Sequence, residues 1–333
     1  MIPSALESAM FGVVSTPILN LADKYGMFSY LIDKGPSRAA QAAFALKVDA
    51  ETLERMLLAL TAFGILDRTG EGRYGLKTNM RPYLDPADEH YIGGFVDHLI
   101  NETSDQITRL SAYLEHGKAD VDKNLPSPFE TFYRNPHALA EFMTAMWSLS
   151  YAPSKELAVL ADLDHVGTVV DVGGASGPFS VAALQHYPDL RATVFDLPQV
   201  GDFVQQTRAT YDLADRLDFV PGDFFADELP SGEAIAFGYV LSDWTDASCA
   251  QLLTNAYRAC QASGRVLIME RLFDDTRNGP LATSVMNLTM HVETQGRHRT
   301  AHEYLSMLQH AGFSDCAVHR SSGDKHLIIG HKR

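Results

Sequence analysis

The second half of the chain alternates short apolar runs with helical segments. The runs are "TVVDV" (168–172), "ATVFD" (192–196), "LDFVP" (217–221), "AIAFGYV" (234–240) and "RVLIME" (265–270). Buried parallel strands joined by helices show this alternation. The last two runs, "DCAVHR" and "KHLIIG", flank a Ser-Gly turn, which predicts a hairpin. We therefore expect an α/β fold with a mostly parallel sheet covered on both faces.

The first 150 residues have a mostly helical pattern instead. Leu53, Met56, Leu57, Leu60 and Phe63 recur at helical spacing. The following "DRTGEGRYGLKTN" reads as two short extended pieces around a Gly-rich turn. Helices followed by such a hairpin resemble a winged helix, a fold that often binds DNA.

Charge argues against DNA binding. The formal net charge is −15, and the 52–66 segment offers Arg55 as its only cation. Nucleic-acid binding needs a basic patch, which the sequence does not supply. The three cysteines (Cys249, Cys260 and Cys316) lack metal-ligand spacing, so no metal is expected.

The N-terminal stretch "SAMFGVVSTPILNLADKYGMFSYLID" is apolar around much of a helix circumference. A helix of this kind is buried, either in a core or against another subunit. No run of 18 apolar residues and no cationic leader is apparent, so the sequence predicts a soluble cytoplasmic protein without a membrane role.

The stretch "VVDVGGASGPFS" predicts a strand, a Gly-rich turn and a helix. Ligands of such sheets bind beyond the carboxyl ends of the strands, where glycines let the backbone approach the ligand. Gly173, Gly174 and Gly177 do not fit the G-x-G-x-x-G spacing, so a nicotinamide dinucleotide is the weaker interpretation.

Acidic residues follow the next two predicted strands. Asp196 ends the second strand, where a carboxylate suits the two hydroxyls of a ribose. Asp223 and Phe224 follow the third, where a carboxylate can accept from an adenine amine beside an aromatic ring. Each residue alone is typical of a turn or helix cap. Together, without a P-loop, they favour a nucleoside site that suits S-adenosylmethionine.

The chain resembles the plant-type small-molecule O-methyltransferases, especially the hydroxyindole (acetylserotonin) branch and its bacterial natural-product relatives. The motifs that carry the resemblance occur in family order along nearly the whole length: "FMTAMWSLS", "DVGGASG", "VFDLPQV", "PGDFF", "VLSDWTD", "GRVLIMERLF" and "NLTMHVETQGRHRT".

The resemblance implies a Rossmann-like class I methyltransferase domain with a mixed seven-stranded sheet whose last strand is antiparallel. It also implies a winged-helix domain that forms a homodimer. The expected divisions are 1–100 for dimerisation, 101–150 for helices lining the acceptor pocket, and 151–333 for catalysis. The expected cofactor product is S-adenosylhomocysteine. The expected cofactor residues are Ser150, Asp171, Gly173, Gly174, Asp196, Leu197, Asp223 and Phe224.

The family places a histidine base directly before "DW", and this chain has Ser242 there. Serine is not a base at neutral pH. Glu270 stands where the family has an acid beside that histidine, and His298 where an acid is common. Asp243 is expected to cap the next helix or stiffen the loop.

Three hypotheses remain open for the missing base. In the first, the acceptor needs little help and proximity drives methyl transfer. In the second, His298 or His291 replaces the base with the aid of Glu270. In the third, methyl transfer is lost, Ser242 orients a substrate, and the bound cofactor supports hydroxylation, decarboxylation or a pericyclic reaction. A purely structural role would leave the nucleoside-site residues unexplained.

Family position also implies an acceptor pocket. Its expected residues lie on two helices: Phe142, Met146 and Leu149 on one, and Met286, Asn287 and Met290 on the other. Methionine is adaptable and phenylalanine presents a flat face. A small, planar and mostly apolar acceptor is therefore expected.

Overall fold

The apolar runs after residue 166 form one central sheet in a computed structural model of the chain, which describes residues 2–124, 129, 133 and 135–333. The chain divides into two compact units, Met1–Ser104 and Asp105–Arg333. The boundary between the units falls within one helix, so the three-part division expected from the sequence stays a prediction.

The first unit is helical, with one hairpin. Its elements are α1 (Ser4–Lys24), α2 (Met27–Lys34), α3 (Ala39–Leu46), α4 (Ala50–Ala62), β1 (Leu66–Arg68), β2 (Tyr74–Leu76), α5 (Arg81–Leu84) and the start of α6 (Gly93–His116). Strands β1 and β2 pair antiparallel, as the Gly-rich turn predicted. The winged-helix assignment itself stays a prediction.

Helix α4 shows how the sequence forms this unit. The Asp49 carboxylate accepts the Thr52 N–H at 2.8 Å and caps the helix N-terminus. Leu53, Leu57 and Leu60 then point inward at helical spacing and are buried. Arg55 lies on the opposite face and pairs with Glu51. The helix therefore buries one apolar stripe and presents no unpaired cationic face.

Helix α1 leaves much of its apolar surface exposed. Leu6, Met10, Phe11 and Val13 are each more than half exposed. By length and composition alone, α1 is long and apolar enough to cross a membrane, although a single such helix near an N-terminus is weak evidence. Burial within the first unit does not account for this face.

The second unit contains the central sheet and the helices around it. Its helices are the remainder of α6, then α7 (Lys118–Val121), α8 (Pro136–Ala161), α9 (Pro178–His186), α10 (Gly201–Thr210), α11 (Asp246–Ala259), α12 (Leu281–Glu293) and α13 (Ala301–His310). Its strands are β3 (Thr168–Val172), β4 (Arg191–Asp196), β5 (Leu217–Pro221), β6 (Gly232–Gly238), β7 (Cys260–Phe273), β8 (Arg299–Thr300), β9 (Ser314–His319) and β10 (Lys325–His331).

The strand order is β5-β4-β3-β6-β7-β10-β9, and β8 pairs with β7. Strands β3 to β7 are parallel, whereas β10 is antiparallel to both β7 and β9. Buried apolar residues on the two faces pack under separate helix layers. The predicted α/β fold with a parallel-rich sheet and an N-terminal helical region is confirmed.

Because β10 runs antiparallel, its first residue lies at the edge where the parallel strands end. Lys325 pairs in register with Arg271, near the end of β7. This edge therefore gathers the carboxyl ends of β3, β4, β6 and β7 together with the start of β10.

Candidate active site

A glycine turn leaves the end of β3 and leads into α9. Gly173, Ala175 and Gly177 have φ values of +65°, +51° and +86°. A Cβ atom on Gly173 would lie 2.8 Å from Cγ2 of Val240, and one on Gly174 would lie 2.7 Å from Cγ of Asp171. Both positions therefore require glycine because the turn folds tightly over the strand ends.

The turn also fixes the Asp196 side chain at the end of β4. One carboxylate oxygen accepts the Ala175 N–H at 2.8 Å, and the other accepts the Leu197 N–H at 2.7 Å. Burial raises the pKa of Asp196 to about 6, against the effect of these two bonds. Each oxygen keeps a free lone pair for a ligand hydroxyl.

Asp171 lies beneath the same turn. Its carboxylate accepts the Ser180 hydroxyl at 2.8 Å, and the residue is 2% exposed. Burial raises its pKa to about 6 as well. Two buried acids, neither of which has an ion pair within 4 Å among the residues that the structure describes, thus face one turn. This arrangement favours a ligand that brings hydroxyl or cationic groups.

These residues line a cavity of about 410 Å³, within the range of small-molecule sites, roughly 300 to 1,000 Å³. It lies entirely in the second unit. Its described lining comprises Phe129, Tyr133, Phe142, Met146, Ser150, Ser154, Asp171, Gly173, Gly174, Ala175, Pro178, Phe179, Asp196, Leu197, Gln199, Gly222, Asp223, Phe224, Phe225, Gly238, Tyr239, Val240, Asp243, Trp244 and Lys325.

Aromatic rings form one wall of the cavity. Phe129 stacks on Trp244 with 5.6 Å between ring centroids and 24° between planes. Phe225 meets Trp244 edge-on at 4.6 Å, and Tyr133 lies 6.4 Å from Phe142. Flat faces of this kind suit planar, mostly apolar groups.

The loop after β6 turns its two polar side chains in different directions. The Ser242 N–H donates to Glu270 at 3.0 Å, and Ser242 is 2% exposed and outside the cavity lining. Asp243 lines the cavity, and its carboxylate makes no hydrogen bond among the described residues. Burial and the nearby Glu270 and Glu293 raise the pKa of Asp243 well above its ordinary value.

Asp243 does not cap the following helix, which was one of the two roles expected for it. Thr245 is the N-cap of α11, and its hydroxyl accepts the Ser248 N–H at 3.2 Å. Because Thr245 supplies the cap, the Asp243 side chain is left facing the cavity.

The other predicted catalytic residues lie outside the cavity lining. Glu270 is fully buried beneath Ser242. His298 is 4% exposed and outside the cavity lining, and its backbone N–H donates to Asn287 Oδ1 at 2.8 Å. Burial lowers the pKa of His298 to about 4, which makes it a weak base. His291 is exposed and packs edge-on against Tyr113.

The structure therefore brings some predicted residues together and separates others. All eight predicted cofactor residues line the cavity, as do Phe142 and Met146. The residues outside the lining are Leu149, Ser242, Glu270, Met286, Asn287, Met290, His291 and His298. The two glycines and the strand-end acids could be found from strand patterns, whereas the residues on α8 and α12 were predicted from the family resemblance alone.

Sequence reasoning missed Ser154, Tyr239 and Lys325 in the lining. For Lys325 a signal existed. The terminal hairpin predicted that β10 runs antiparallel, so its first residue had to lie at the carboxyl edge of the parallel strands. A lysine beginning such a strand was therefore a candidate for the site.

The lining fits an adenosyl cofactor. Asp196 offers two fixed oxygens for a ribose diol, and Asp223 and Phe224 stand beside them for a base. Lys325 is the one cationic side chain among the described lining residues, so a triphosphate would meet four aspartates and little positive charge. A nucleoside with a cationic or zwitterionic tail matches this balance.

Comparisons with known proteins agree with this fit. A family model described as an O-methyltransferase domain matches residues 108–314. The chain is 31% identical to 3-hydroxy-5-methyl-1-naphthoate 3-O-methyltransferase of Streptomyces sahachiroi, over 99% of this chain and 95% of that protein.

Two further relatives are similar in sequence or structure. The tetracenomycin polyketide synthesis 8-O-methyl transferase of Streptomyces glaucescens is 31% identical, over 82% of this chain and 80% of that one. The crystal structure of human N-acetylserotonin methyltransferase in complex with S-adenosylmethionine superimposes with a TM-score of 0.87 at 26% identity, covering 99% of this chain and 97% of that one.

Proposed function

Since the chain belongs to the family of S-adenosylmethionine-dependent O-methyltransferases and methylates small molecules, we propose that its acceptor is a hydroxyl on a planar aromatic compound of secondary metabolism. The observation that carries this proposal is the cavity that joins the strand-end acids to an aromatic wall. The named substrates of two relatives, a hydroxynaphthoate and a tetracenomycin polyketide, are of the same planar class.

The cofactor supplies a methyl group bonded to a positively charged sulfur, from which a nucleophile can displace it. In the proposed site, Asp196 holds the ribose hydroxyls, and Asp223 and Phe224 hold the adenine. The glycine turn at Gly173 and Gly174 lets the backbone approach the ligand. Phe142, Met146 and the Phe129–Trp244 stack hold the acceptor plane.

Proximity is proposed as the main source of rate. Well-oriented intramolecular reactions reach effective molarities of about 10⁵–10⁸ M, whereas a general base contributes about 10²–10⁴-fold. Because position 242 holds serine where the family has a histidine base, the smaller of the two contributions to the rate is the one that is missing. An acceptor hydroxyl of lowered pKa reduces that loss further.

We further propose Asp243 as the residue that receives the acceptor proton. It faces the cavity from the same loop as Ser242, whose side chain lies behind the wall beside Glu270. A carboxyl of raised pKa is a stronger base than an ordinary aspartate once it is ionised. The geometry gives less support to His298, which is buried outside the lining with a pKa of about 4.

Replacing Asp243 by Asn tests this role. We expect kcat to fall about 10²-fold, because the general base is lost while the proximity contribution is kept. Affinity for S-adenosylhomocysteine, measured by calorimetry, is expected to stay within about threefold. An unchanged kcat would exclude Asp243 as the base, and His298→Gln, expected to retain activity, is the matched control.

Methyl transfer itself is tested with isotopically labelled cofactor. The purified protein is incubated with methyl-labelled S-adenosylmethionine and a panel of hydroxynaphthoates, other phenols, amines and thiols, and products are analysed by mass spectrometry. We expect label on the oxygen of a hydroxyarene. Consumption of a substrate without label would support the non-methylating alternative and contradict the proposal.

The exposed face of α1 supports a homodimer, which the family resemblance also implied. We propose that a second copy of the chain covers Leu6, Met10 and Val13 and that the enzyme works in the cytoplasm. The net charge of −15 disfavours anionic membranes and nucleic acid as alternative partners.

A further inference from the structure

One buried cation faces the cavity without a protein anion bound to it. Lys325 is 2% exposed and is the one cationic side chain among the described lining residues. Its Nζ lies 3.6 Å from the centroid of the Tyr239 ring. Among the described residues, Nζ forms no hydrogen bond and no ion pair within 4 Å. An ammonium group carries three donors, and a ring face satisfies them poorly.

The space beside this ammonium is kept open by a glycine. A Cβ atom on Gly238 would lie 3.9 Å from Lys325 Nζ, so a longer side chain there would fill the space next to the ammonium. Gly238 and Tyr239 both line the cavity. Lys325 therefore reaches the cavity floor across the end of β6.

A second unsatisfied polar group lies on the helix above. Ser154 of α8 is fully buried and lines the cavity, and its hydroxyl has no hydrogen-bond partner among the described residues. Helix α8 is tied to the turn before β10, because Glu156 accepts both the Ser322 N–H and the Ser322 hydroxyl at 2.7 Å. This tie holds the Ser154 segment of α8 beside the segment that carries Lys325.

We propose that Lys325 and Ser154 form the subsite for the carboxylate at the amino-acid end of S-adenosylmethionine. The inference rests on the cofactor placement in the proposed function, not on the acceptor. A carboxylate entering this cavity meets Asp171, Asp196, Asp223 and Asp243, and Lys325 is the group that can offset their repulsion. The ammonium and the serine hydroxyl can both donate to it.

Charge balance in the free protein agrees with this role. Burial lowers the pKa of Lys325, while the nearby carboxylates of Glu270 and Asp171 oppose that shift without contacting the ammonium. A bound carboxylate would add the direct partner that the ammonium lacks. The positively charged sulfonium and amino groups of the same ligand can then interact with the aspartates.

Two ligands that differ at the amino-acid end test the proposal by calorimetry. S-adenosylhomocysteine carries the carboxylate, whereas 5′-methylthioadenosine has a methyl group in place of the whole amino-acid chain. In Lys325→Met, we expect S-adenosylhomocysteine to bind about 30-fold more weakly or worse, since one partner of a buried charge pair is lost. Binding of 5′-methylthioadenosine is expected to change by less than about twofold, and Lys325→Arg to recover part of the loss.

Equal weakening of both ligands, or of neither, would overturn the proposal, because a merely structural lysine does not distinguish them. If the Lys325→Met variant does not fold, the Ser154→Ala variant provides the test. This substitution is expected to weaken the binding of S-adenosylhomocysteine several-fold and to leave the binding of 5′-methylthioadenosine unchanged. Equal effects on the two affinities would overturn the proposed subsite. Failure of the unmodified protein to bind either ligand would overturn the cofactor site itself.

Discussion

At the scale of single residues, the site is dominated by buried carboxylates that form no ion pair within 4 Å among the described residues. Asp171 and Asp196 lie under the glycine turn, and burial raises the pKa of each to about 6. Desolvation disfavours their charged forms, and ligand hydroxyls that donate to them favour those forms. Ligand binding and ionisation of these acids are therefore linked.

This linkage predicts a pH dependence of cofactor binding. Binding of a ligand that prefers the ionised acids includes the free-energy cost of deprotonating them below pH 6. Well above pH 6 the acids are already ionised and this cost disappears. The dissociation constant of S-adenosylhomocysteine should thus rise about tenfold per pH unit as the pH falls below 6, for one linked proton. Calorimetry from pH 5 to 8 measures this, with circular dichroism to show that the fold persists. A flat profile down to pH 5 would contradict it.

Whether a site residue could be predicted from the sequence depended on what determines the direction of its side chain. Asp196 and Gly173 could be located because a strand end and its turn always lie at the edge of the sheet. Leu149 and Met290 were placed by family resemblance, and a difference of one residue in alignment turns a helical side chain by about 100°. The direction of Ser242 was set by Glu270, which is distant in sequence, and local pattern does not carry that information.

At the scale of elements, the loop that carries Asp243 is held by one buried arginine. Arg299, fully buried on β8, donates to the carbonyls of Leu241 and Trp244 at 2.7 and 2.9 Å and to the Asp246 carboxylate at 2.7 Å. Gly296 lets the neighbouring chain approach closely, since a Cβ there would lie 2.0 Å from the Ser242 carbonyl oxygen. The segment 295–299 thus positions the loop that carries Asp243 from outside the cavity.

Arg299→Lys should loosen this loop. A lysine cannot reproduce the planar fork of a guanidinium, so at least one buried carbonyl loses its donor. We expect about 2–3 kcal/mol less free energy of unfolding, and weaker binding of S-adenosylhomocysteine. Chemical denaturation measures the first quantity.

The matched control is Arg297→Lys. Arg297 also pairs with Asp246, but both side chains are more than a third exposed, and such pairs contribute about 1 kcal/mol or less. Equal losses in the two variants would show that the Arg299 hydrogen bonds do not hold the loop.

At the scale of the whole molecule, the sequence predicted the order of strands and helices more fully than the surfaces they present. Apolar runs locate β3 and β5 to the residue, although each strand carries one aspartate and β5, at the sheet edge, is mostly exposed. The partner of α1 could not be predicted in the same way, since an apolar helix looks the same in sequence whether a core or a second subunit covers it.

The proposed dimer is tested on the exposed face of α1. Introducing charge with Met10→Glu and Val13→Glu should convert a dimer into monomers, because a buried interface does not accept two unpaired carboxylates. Sedimentation velocity gives the mass. Val159→Glu, at an exposed apolar residue of α8, should leave the dimer intact. A monomeric unmodified protein, or one that partitions into phospholipid vesicles through α1, would contradict the proposal.

The central claim is that the ends of β3, β4 and β5 hold an adenosyl cofactor through fixed carboxylates. Calorimetric titration with S-adenosylhomocysteine tests it on the unmodified protein, on Asp196→Asn and on Asp218→Asn, whose carboxylate is exposed on β5 away from the cavity. We predict one site per chain, an affinity about tenfold or more weaker in Asp196→Asn, and no change in Asp218→Asn. Absence of binding to the unmodified protein, or equal affinity in all three, would contradict the account.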